Sequence, residues 1–421
     1  MNGGKFHDLV LTLAQCLLFS GCSSGSGNVS IAPTGPFSAP QPAVTVDFTT
    51  TYQTIRGFGG SSAWISDFTS AEADTLFGTG AGQLGLTLLR VRIDPGGQAN
   101  WGTELNNAQL AAARGASVIA TPWTPPAAMK SNNNIVGGAL NPASYAAYAT
   151  YLESFVQYMQ QGGVNLYAIS MQNEPDAQVT YESCAWTPSQ IDTWVAQDAG
   201  VLTTRLYMPE SESFNTAYSD PTLSDPAAVG NVAIVAGHIY GVSPQPYPAA
   251  STAGKELWMT EHYLSTSGIA GALALAEEVH AGLTTAGYNA YLWWWIDAYP
   301  AGNYSYGLVD SNRNPTLNGD AMAQFSRFVR PGYQRVSVSS SGSPTILISA
   351  YAGNGHLAIV AINPLTNSVS QPFTLVGATV TSLTPWQTSA TENIALLSAV
   401  TVSGGGFTAT LPPQSITTFV Q

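Results

Sequence analysis

The sequence predicts an α/β protein, a (β/α)8 TIM barrel with an attached C-terminal antiparallel β-sandwich side domain. Between residues 86 and 296, short apolar runs alternate with segments of helical periodicity, a pattern typical of parallel strands covered by helices. From residue 326 onwards, short alternating strands are separated by Gly, Ser and Pro, which indicates an antiparallel sheet. The 421 residues suffice for a barrel of about 250 residues and a smaller domain.

The predicted domain boundaries follow these changes in composition. Residues 1–22 are predicted to be a signal peptide, and residues 23–43, rich in Ser, Gly, Pro and Ala, a flexible linker. Residues 44–54 are predicted to form a strand, residues 55–325 the barrel, and residues 326–421 the β-sandwich.

Within these domains, the individual elements are predicted from hydrophobic periodicity. The predicted barrel strands are residues 86–93, 116–120, 168–174, 233–240, 257–261 and 288–296. The predicted helices are residues 145–159, 188–203 and 272–283, and residues 56–60 (RGFGG) are predicted to form a Gly-rich turn. The predicted strands of the side domain include residues 346–351, 356–363, 373–375 and 416–420.

Two of the barrel strands end in a glutamate, Glu174 and Glu261. The C-terminal end of a barrel strand is where barrel enzymes carry their catalytic residues. Two carboxylates on different strands can face one another across a cleft, as glycoside hydrolysis requires. The alternative is that each is a surface glutamate at a strand end.

Composition excludes several function classes. The net charge of −13 argues against binding of nucleic acid or of anionic membrane surfaces. Cys184 is the one cysteine in the predicted folded part, and the five histidines show no HExxH spacing. We therefore expect no metal site and no cofactor, and we expect a monomer.

The N-terminus has the pattern of an export signal. Lys5 precedes an apolar run at residues 9–19 that is too short to span a bilayer. Residues 18–22 (LFSGC) resemble a bacterial lipobox, in which Cys22 would be lipidated; ordinary signal-peptide cleavage is the alternative. Either way, we expect a protein outside the cytoplasm, secreted or lipid-anchored to the envelope of a bacterium.

Several long motifs in a fixed order resemble glycoside hydrolase family 30, most closely its bacterial xylanase branch. The resemblance covers residues 44–421 and implies that the strand at residues 44–54 joins the side domain of a catalytic barrel. The motifs are residues 56–60 (RGFGG), 121–126 (TPWTPP), 164–175 (VNLYAISMQNEP), 238–241 (HIYG), 258–261 (WMTE), 328–333 (FVRPGY) and 414–420 (QSITTFV).

The resemblance implies that Glu174 is the acid/base and Glu261 the nucleophile of a retaining hydrolase, with Asn173 bonded to the sugar 2-hydroxyl. In such enzymes the two carboxyl groups lie about 5–5.5 Å apart, so that one attacks while the other protonates the leaving oxygen. The implied substrate is xylan or a related plant cell-wall polysaccharide.

Other residues are predicted to contact the carboxylates or the sugar. Arg92 is expected to hydrogen-bond a catalytic carboxylate, unless it forms a structural ion pair with Asp94. Tyr240 is expected to bond the nucleophile or the sugar, with plain packing at a strand end as the alternative.

Aromatic side chains are predicted to stack on sugar rings. Trp123 and Trp294 are expected to be sugar platforms, with barrel core as the alternative for each, and Trp64 is expected to contact the sugar. Tyr181 and Trp186, which follow Glu174, are expected to line an outer subsite.

The chain departs from the glucuronoxylan-specific members of the family. Those proteins carry an arginine after the last barrel strand that grips a glucuronic acid branch, whereas this chain has Asp297, Ala298 and Tyr299 there. A carboxylate at this place would repel a uronate, although Arg313 could substitute for the missing arginine. We therefore expect an endo-xylanase or xylobiohydrolase that does not depend on glucuronic acid branches.

Two alternatives remain from the residues alone. The same chemistry fits a β-1,6-galactanase, a β-1,6-glucanase or a β-glycosidase, because a fold does not determine its substrate. A non-catalytic glycan-binding lipoprotein is a different class, and the two strand-end glutamates with Asn173 beside one of them argue against it.

Overall fold

The computed structural model describes residues 41–297, 306–339 and 345–421. The predicted signal peptide, Cys22 and nearly all of the predicted linker lie outside the described residues, as do Ala298 and Tyr299. Across the described ranges, none of the helices combines the length and apolar character needed to cross a membrane.

A closed barrel of eight parallel strands forms the larger part of the described chain, as predicted. The first strand of the described residues is β1 (Val44–Thr54), and the barrel starts at β2. The barrel strands are β2 (Gly57–Ser61), β3 (Leu88–Ile93), β4 (Ser117–Pro122), β5 (Ala168–Ser170), β6 (Arg205–Ser211), β7 (Val232–His238), β8 (Glu256–Glu261) and β9 (Ala290–Trp295). Strand β2 pairs with both β3 and β9, which closes the barrel.

A helix follows each barrel strand. The helices are α1 (Ser70–Phe77), α2 (Gly102–Ala112), α3 (Tyr145–Gln161), α4 (Pro188–Gln197), α5 (Asp220–Ser224), α6 (Pro248–Thr252), α7 (Gly268–Ala281) and α8 (Leu317–Ser326). Helix α3 buries Tyr148, Leu152, Phe155 and Met159, which confirms its predicted helical spacing. Helix α4 starts in a capping box of Thr187 and Gln190, and it ends earlier than predicted.

The segment predicted as a Gly-rich turn forms strand β2 instead. Apart from the buried Phe58, its residues are small because the backbone of β2 packs closely against β3. A Cβ atom on Gly59 would lie 2.0 Å from the carbonyl oxygen of Leu88, so only glycine is accommodated there. The prediction of a turn was therefore wrong.

The inside of the barrel changes from apolar to polar along the strands. Residues near the N-terminal ends form an apolar cluster, and Leu88 and Trp258 belong to it. Arg90 follows Leu88 by two residues and therefore points to the same side of β3, one layer nearer the C-terminal ends. The C-terminal mouth is thus lined by polar side chains above a packed floor.

The side domain is a single hydrogen-bonded sheet that folds over on itself. Its further strands are β10 (Gln334–Val338), β11 (Leu347–Gly353), β12 (His356–Asn363), β13 (Val369–Val376), β14 (Ser382–Thr388), β15 (Ala395–Leu396), β16 (Val400–Thr401), β17 (Gly406–Leu411) and β18 (Ser415–Val420). The strand order among the described residues is β15-β14-β18-β12-β11-β10-β1-β13-β17, and β16 pairs with β14. Neighbours are antiparallel except β1 and β13.

The two layers of this sheet enclose an aromatic core. Phe373 of β13 and Phe407 of β17 stack with ring centroids 4.6 Å apart. Phe419 of β18 packs on both rings, at 5.9 Å and 5.3 Å. Of the four strands predicted for this region, three lie within observed strands, and the fourth, residues 346–351, begins one residue before β11.

Helix α8 joins the barrel to the side domain through the buried Gln324. Its side-chain amide donates to the hydroxyl of Thr388 on β14 at 2.8 Å. Its side-chain oxygen accepts from the hydroxyl of Thr418 on β18 at 2.6 Å.

We expect Gln324→Ala to lower the free energy of unfolding by about 1–3 kcal/mol, because it leaves the buried Thr388 hydroxyl without its donor. The measurement is equilibrium unfolding in urea. The control is Gln160→Ala, an exposed residue of α3, for which the change should stay within about 0.5 kcal/mol. Equal effects of the two substitutions would contradict the assigned role of Gln324.

Candidate active site

Five buried ionisable side chains converge at the C-terminal mouth of the barrel. Arg90 comes from β3, Glu174 follows β5, Glu210 lies at the end of β6, His238 ends β7 and Glu261 ends β8. They come from β3 and from the four successive strands β5 to β8, at the barrel rim, where such folds carry their chemistry.

Glu174 is held by its backbone and by a histidine. Its φ of 44° is in the left-handed region, which is costly for a residue with a side chain. Its N–H donates to the carbonyl of Glu210 at 3.0 Å. Its Oε1 atom lies 2.8 Å from His238 Nδ1, and Oε2 is 3.5 Å from the hydroxyl of Tyr181.

Glu261 accepts two side-chain hydrogen bonds from opposite sides. Arg90 Nη1 donates to Oε2 at 2.6 Å, and the Tyr240 hydroxyl donates to Oε1 at 3.0 Å. One oxygen of Glu174, one oxygen of Glu261 and one ring nitrogen of His238 all lie within 4.8 Å of one another. This arrangement allows one carboxylate to act as nucleophile and the other as acid and base.

Burial and charge oppose each other at Glu261 and His238. Burial raises the pKa of Glu261, the charges of His238 and Arg90 lower it, and Glu174 raises it again; the net shift is upward. Burial lowers the pKa of His238, but Glu261, Glu174 and Glu210 together raise it to about 10. At neutral pH, His238 is therefore an imidazolium that donates its Nδ1 proton to Glu174.

The arginine that contacts Glu261 is Arg90, not Arg92. Arg92 was expected to hydrogen-bond a catalytic carboxylate, and that expectation was wrong. Its Nη1 pairs with Asp94 at 2.8 Å, and Glu182 binds its Nε at 2.9 Å and its Nη2. The alternative prediction, an ion pair with Asp94, is confirmed. Arg92 lies at the outer end of β3, beyond the level of Glu261.

Asn173 is oriented by the same arginine. Arg90 Nη2 donates to Asn173 Oδ1 at 2.6 Å. The amide nitrogen of Asn173 is therefore the group that remains to donate to a ligand, since it forms no hydrogen bond with the described residues. The predicted contact with a sugar hydroxyl stays a prediction.

Three tryptophans cluster at one side of the mouth. Trp64 is 42% exposed, and its ring centroid lies 4.9 Å from that of Trp123 and 6.0 Å from that of the half-buried Trp294. Trp123 is only 2% exposed and packs against Arg90. Trp64 and Trp294 thus present aromatic surface, whereas the packing of Trp123 matches the alternative of a core residue.

The loop after Glu174 brings one of its two aromatic residues to the mouth. Tyr181 is 47% exposed and lies beside Trp64. Trp186 is buried, stacks on Tyr145 and donates to Gln172. The expectation that Trp186 lines an outer subsite was therefore wrong.

The carboxylate after the last barrel strand is buried and paired. Asp297 is fully buried and forms an ion pair with Arg313. Arg313 Nε also lies 3.3 Å from Glu72 Oε1. The expected repulsion of a uronate by Asp297 is not supported, because its charge is compensated by Arg313 away from the solvent.

Arg90, Glu210 and His238 were not predicted as site residues. Glu210 and His238 end or nearly end their strands, the same signal that identified Glu174 and Glu261. Arg90 and Arg92 both alternate with apolar residues of β3, and this sequence pattern does not distinguish one from the other.

The chain is similar to known proteins of one family. The model of the glycosyl hydrolase family 30 TIM-barrel domain matches residues 100–241. The chain is 40% identical to Glucuronoxylanase XynC of Bacillus subtilis (strain 168) over 393 residues, which are 90% of this chain and 91% of that protein.

Two solved structures are also similar. One is the glycoside hydrolase family 30 subfamily 8 xylanase Xyn30A of Clostridium acetobutylicum, with a TM-score of 0.85 and 43% identity, over 90% of this chain and 99% of that chain. The other is a GH30 endoxylanase from Clostridium papyrosolvens C71, with a TM-score of 0.83 and 38% identity, again over 90% and 99%.

We expect the His238 imidazole to stay protonated from pH 6.5 to about 10, because three carboxylates surround it. Since its pKa is raised on folding, its contribution to stability is complete below pH 6.5 and is lost as the pH rises towards 10. The measurement is ¹⁵N NMR titration of the histidine side chains.

Glu261→Gln should lower the titration midpoint of His238, because it removes one of the negative charges. The control is Glu278→Gln, which removes the carboxylate beside His262 and should leave the midpoint unchanged. A midpoint near 6.5 in the wild type would contradict the assigned charge state.

Proposed function

Because the chain belongs to glycosyl hydrolase family 30, and is thus a glycoside hydrolase, we propose that it cleaves β-1,4-xylan with retention of configuration. The observation that carries the mechanism is the paired placement of Glu174 and Glu261 at the barrel mouth. The substrate rests on three relatives, at 38% to 43% identity over 90% of the chain, that are named glucuronoxylanase, xylanase and endoxylanase.

The short separation of the two carboxylates supports retention. One oxygen of Glu174 and one of Glu261 lie within 4.8 Å. Inverting enzymes place their carboxyl groups about 6.5–9.5 Å apart to hold a water between them, and retaining enzymes about 5–5.5 Å apart. The geometry therefore favours direct attack by one carboxylate.

In the first step, Glu261 attacks the anomeric carbon while Glu174 protonates the leaving oxygen. The hydrogen bonds from Arg90 and Tyr240 hold the Glu261 carboxylate in one orientation, which reduces the cost of reaching the attack geometry. His238 occupies Oε1 of Glu174, so Oε2 is the atom that faces the glycosidic oxygen.

In the second step, Glu174 acts as the base towards water. Glu174 is ionised once it has protonated the leaving oxygen. Formation of the glycosyl-enzyme also removes the negative charge of Glu261, which therefore no longer repels the Glu174 carboxylate. The His238 imidazolium then stabilises the Glu174 carboxylate through Nδ1. Attack of the activated water on the anomeric carbon releases the sugar and restores both carboxyl groups.

We further propose that cleavage does not require glucuronic acid branches. Arg313 is the one basic residue of the sequence between Asp297 and Thr316, and Asp297 and Glu72 bind it. Lys130 is buried and donates to Thr124 and to the carbonyl of Ser183. Both cations are thus already bound to groups of the protein.

The location of the enzyme is also a proposal. The sequence pattern of residues 1–22 supports export from a bacterial cytoplasm, and we further propose that Cys22 is lipidated. A polymeric substrate such as xylan cannot enter the cell, so export is consistent with the proposed activity.

We expect neutral xylo-oligosaccharides from both glucuronoxylan and unbranched xylo-oligosaccharides, because Arg313 and Lys130 are already bound to groups of the protein. The measurement is mass spectrometry of the products. Products that each carry one glucuronic acid, with the unbranched substrate uncut, would contradict branch independence. Cleavage of β-1,6-glucan, with glucuronoxylan and unbranched xylo-oligosaccharides left uncut, would contradict the proposed substrate.

We expect Glu174→Gln to slow hydrolysis of xylan by about 10²–10⁴-fold, because the leaving oxygen is no longer protonated. An aryl xyloside with a good leaving group should still form the glycosyl-enzyme, and azide should then accelerate turnover. Glu261→Gln should abolish turnover of both substrates.

The control is Glu277→Gln on helix α7, outside the mouth. ¹H NMR of the first product should show the β-anomer in the wild type. An α-anomer, or an unchanged pH profile in Glu174→Gln, would contradict the assigned roles.

A further inference from the structure

We propose that Glu210, a third buried carboxylate, is a positioning residue whose fixed negative charge keeps one proton on the Glu174 and Glu261 pair. This inference rests on the proposed function of that pair. It assigns to Glu210 a part in the reaction without direct contact with the substrate.

Glu210 is built into the centre of the charged cluster. It is fully buried at the end of β6, and its φ of 56° is in the left-handed region. Its Oε1 atom lies 3.0 Å from Arg90 Nη2 and 3.7 Å from His238 Nε2. Its carbonyl oxygen accepts the N–H of Glu174 at 3.0 Å. The side chain of Glu210 thus interacts with Arg90 and His238, whereas its backbone carbonyl binds Glu174.

The titratable groups that interact with Glu210 are Arg90 from β3, Tyr207 on its own strand β6 and His238 from β7. Glu174 and Glu261 bind the same two cations, Glu174 through His238 and Glu261 through Arg90. The Tyr207 hydroxyl bonds Thr121 and the carbonyl of Ala120, and burial raises its pKa well above the usual value. Tyr207 is therefore neutral and does not enter the charge balance.

The remaining charges nearly cancel. Arg90 and His238 are cations, and Glu174, Glu210 and Glu261 are carboxylates, so the cluster is neutral when one carboxyl group carries a proton. An uncompensated charge in such a buried place is strongly disfavoured. The cluster therefore binds one proton over a wide pH range.

Glu210 does not carry that proton. Burial raises its pKa, but the charges of Arg90 and His238 more than offset this and lower it below the usual value. The proton consequently resides on the Glu174 and Glu261 pair. A retaining hydrolase requires this state, with one carboxyl group as acid and the other as nucleophile.

Removal of the negative charge of Glu210 should change the protonation of the Glu174 and Glu261 pair. In Glu210→Gln, two cations would face two carboxylates, and the cluster would be neutral with both carboxylates ionised. The pair should then lose its proton at lower pH. We expect both limbs of the kcat/KM profile on an aryl xyloside to move down by about 1–3 pH units.

The test compares the pH profiles of the wild type, Glu210→Gln and Glu210→Asp. Glu210→Asp keeps the charge and should keep the positions of both limbs, even where its rate is lower. A uniform loss of rate in Glu210→Gln with unmoved limbs would overturn the proposal, because a merely structural residue would have that effect.

A second measurement does not depend on hydrolysis or on the folding of Glu210→Gln. In the wild type labelled with ¹³C at the glutamate carboxyl carbons, Glu210 should not titrate across the pH range in which Glu261 does. Its signal is assigned from the spectrum of Glu210→Asp. Titration of Glu210 within that range would overturn the proposal.

The same spectra separate this proposal from the proposed function. Lack of activity on every xyloside, combined with an ionised Glu210 and one proton on the pair, would reject the substrate and keep the charge balance. Full activity combined with a titrating Glu210 would reject the charge balance alone.

Discussion

The buried guanidinium of Arg90 is the interaction on which the rest of the mouth depends. It binds Glu261, Glu210 and the side-chain oxygen of Asn173, and its flat face packs on Trp123. Arginine suits this place because its planar group offers five donors in fixed directions. A buried cation needs carboxylate partners, so Arg90 holds the carboxylates at the ends of β6 and β8 close together.

Backbone strain directs side chains of the mouth. Trp64, Glu174 and Glu210 all have positive φ values, 59°, 44° and 56°. Each such residue destabilises the folded state by roughly 1–3 kcal/mol. The hydrogen bonds of the closed barrel offset this destabilisation. The hydrogen bond from the N–H of Glu174 to the carbonyl of Glu210 couples two of these strained positions. The carboxylates of Glu174 and Glu210 are thus oriented by the backbone of the barrel as well as by their ionic partners.

The architecture could be predicted because its signals are local. Hydrophobic periodicity along α3, and the short apolar run that ends in Glu261, identify a helix and a strand without knowledge of their neighbours. Strand β2 could not be predicted in this way. Its glycines are required by the close approach of Leu88 in the adjacent strand, and that approach exists only once the barrel has closed.

The sequence by itself determined the fold class and the candidate pair Glu174 and Glu261, since both end apolar runs in recognisable motifs. Only the tertiary structure decided that Arg90, and not Arg92, meets Glu261. The two arginines share one face of β3 and differ only in height along the barrel. Which height matches a carboxylate depends on the stagger between strands, where Arg90 pairs with Ile119 of β4. That stagger arises from closure of the sheet, and no local pattern along the chain encodes it.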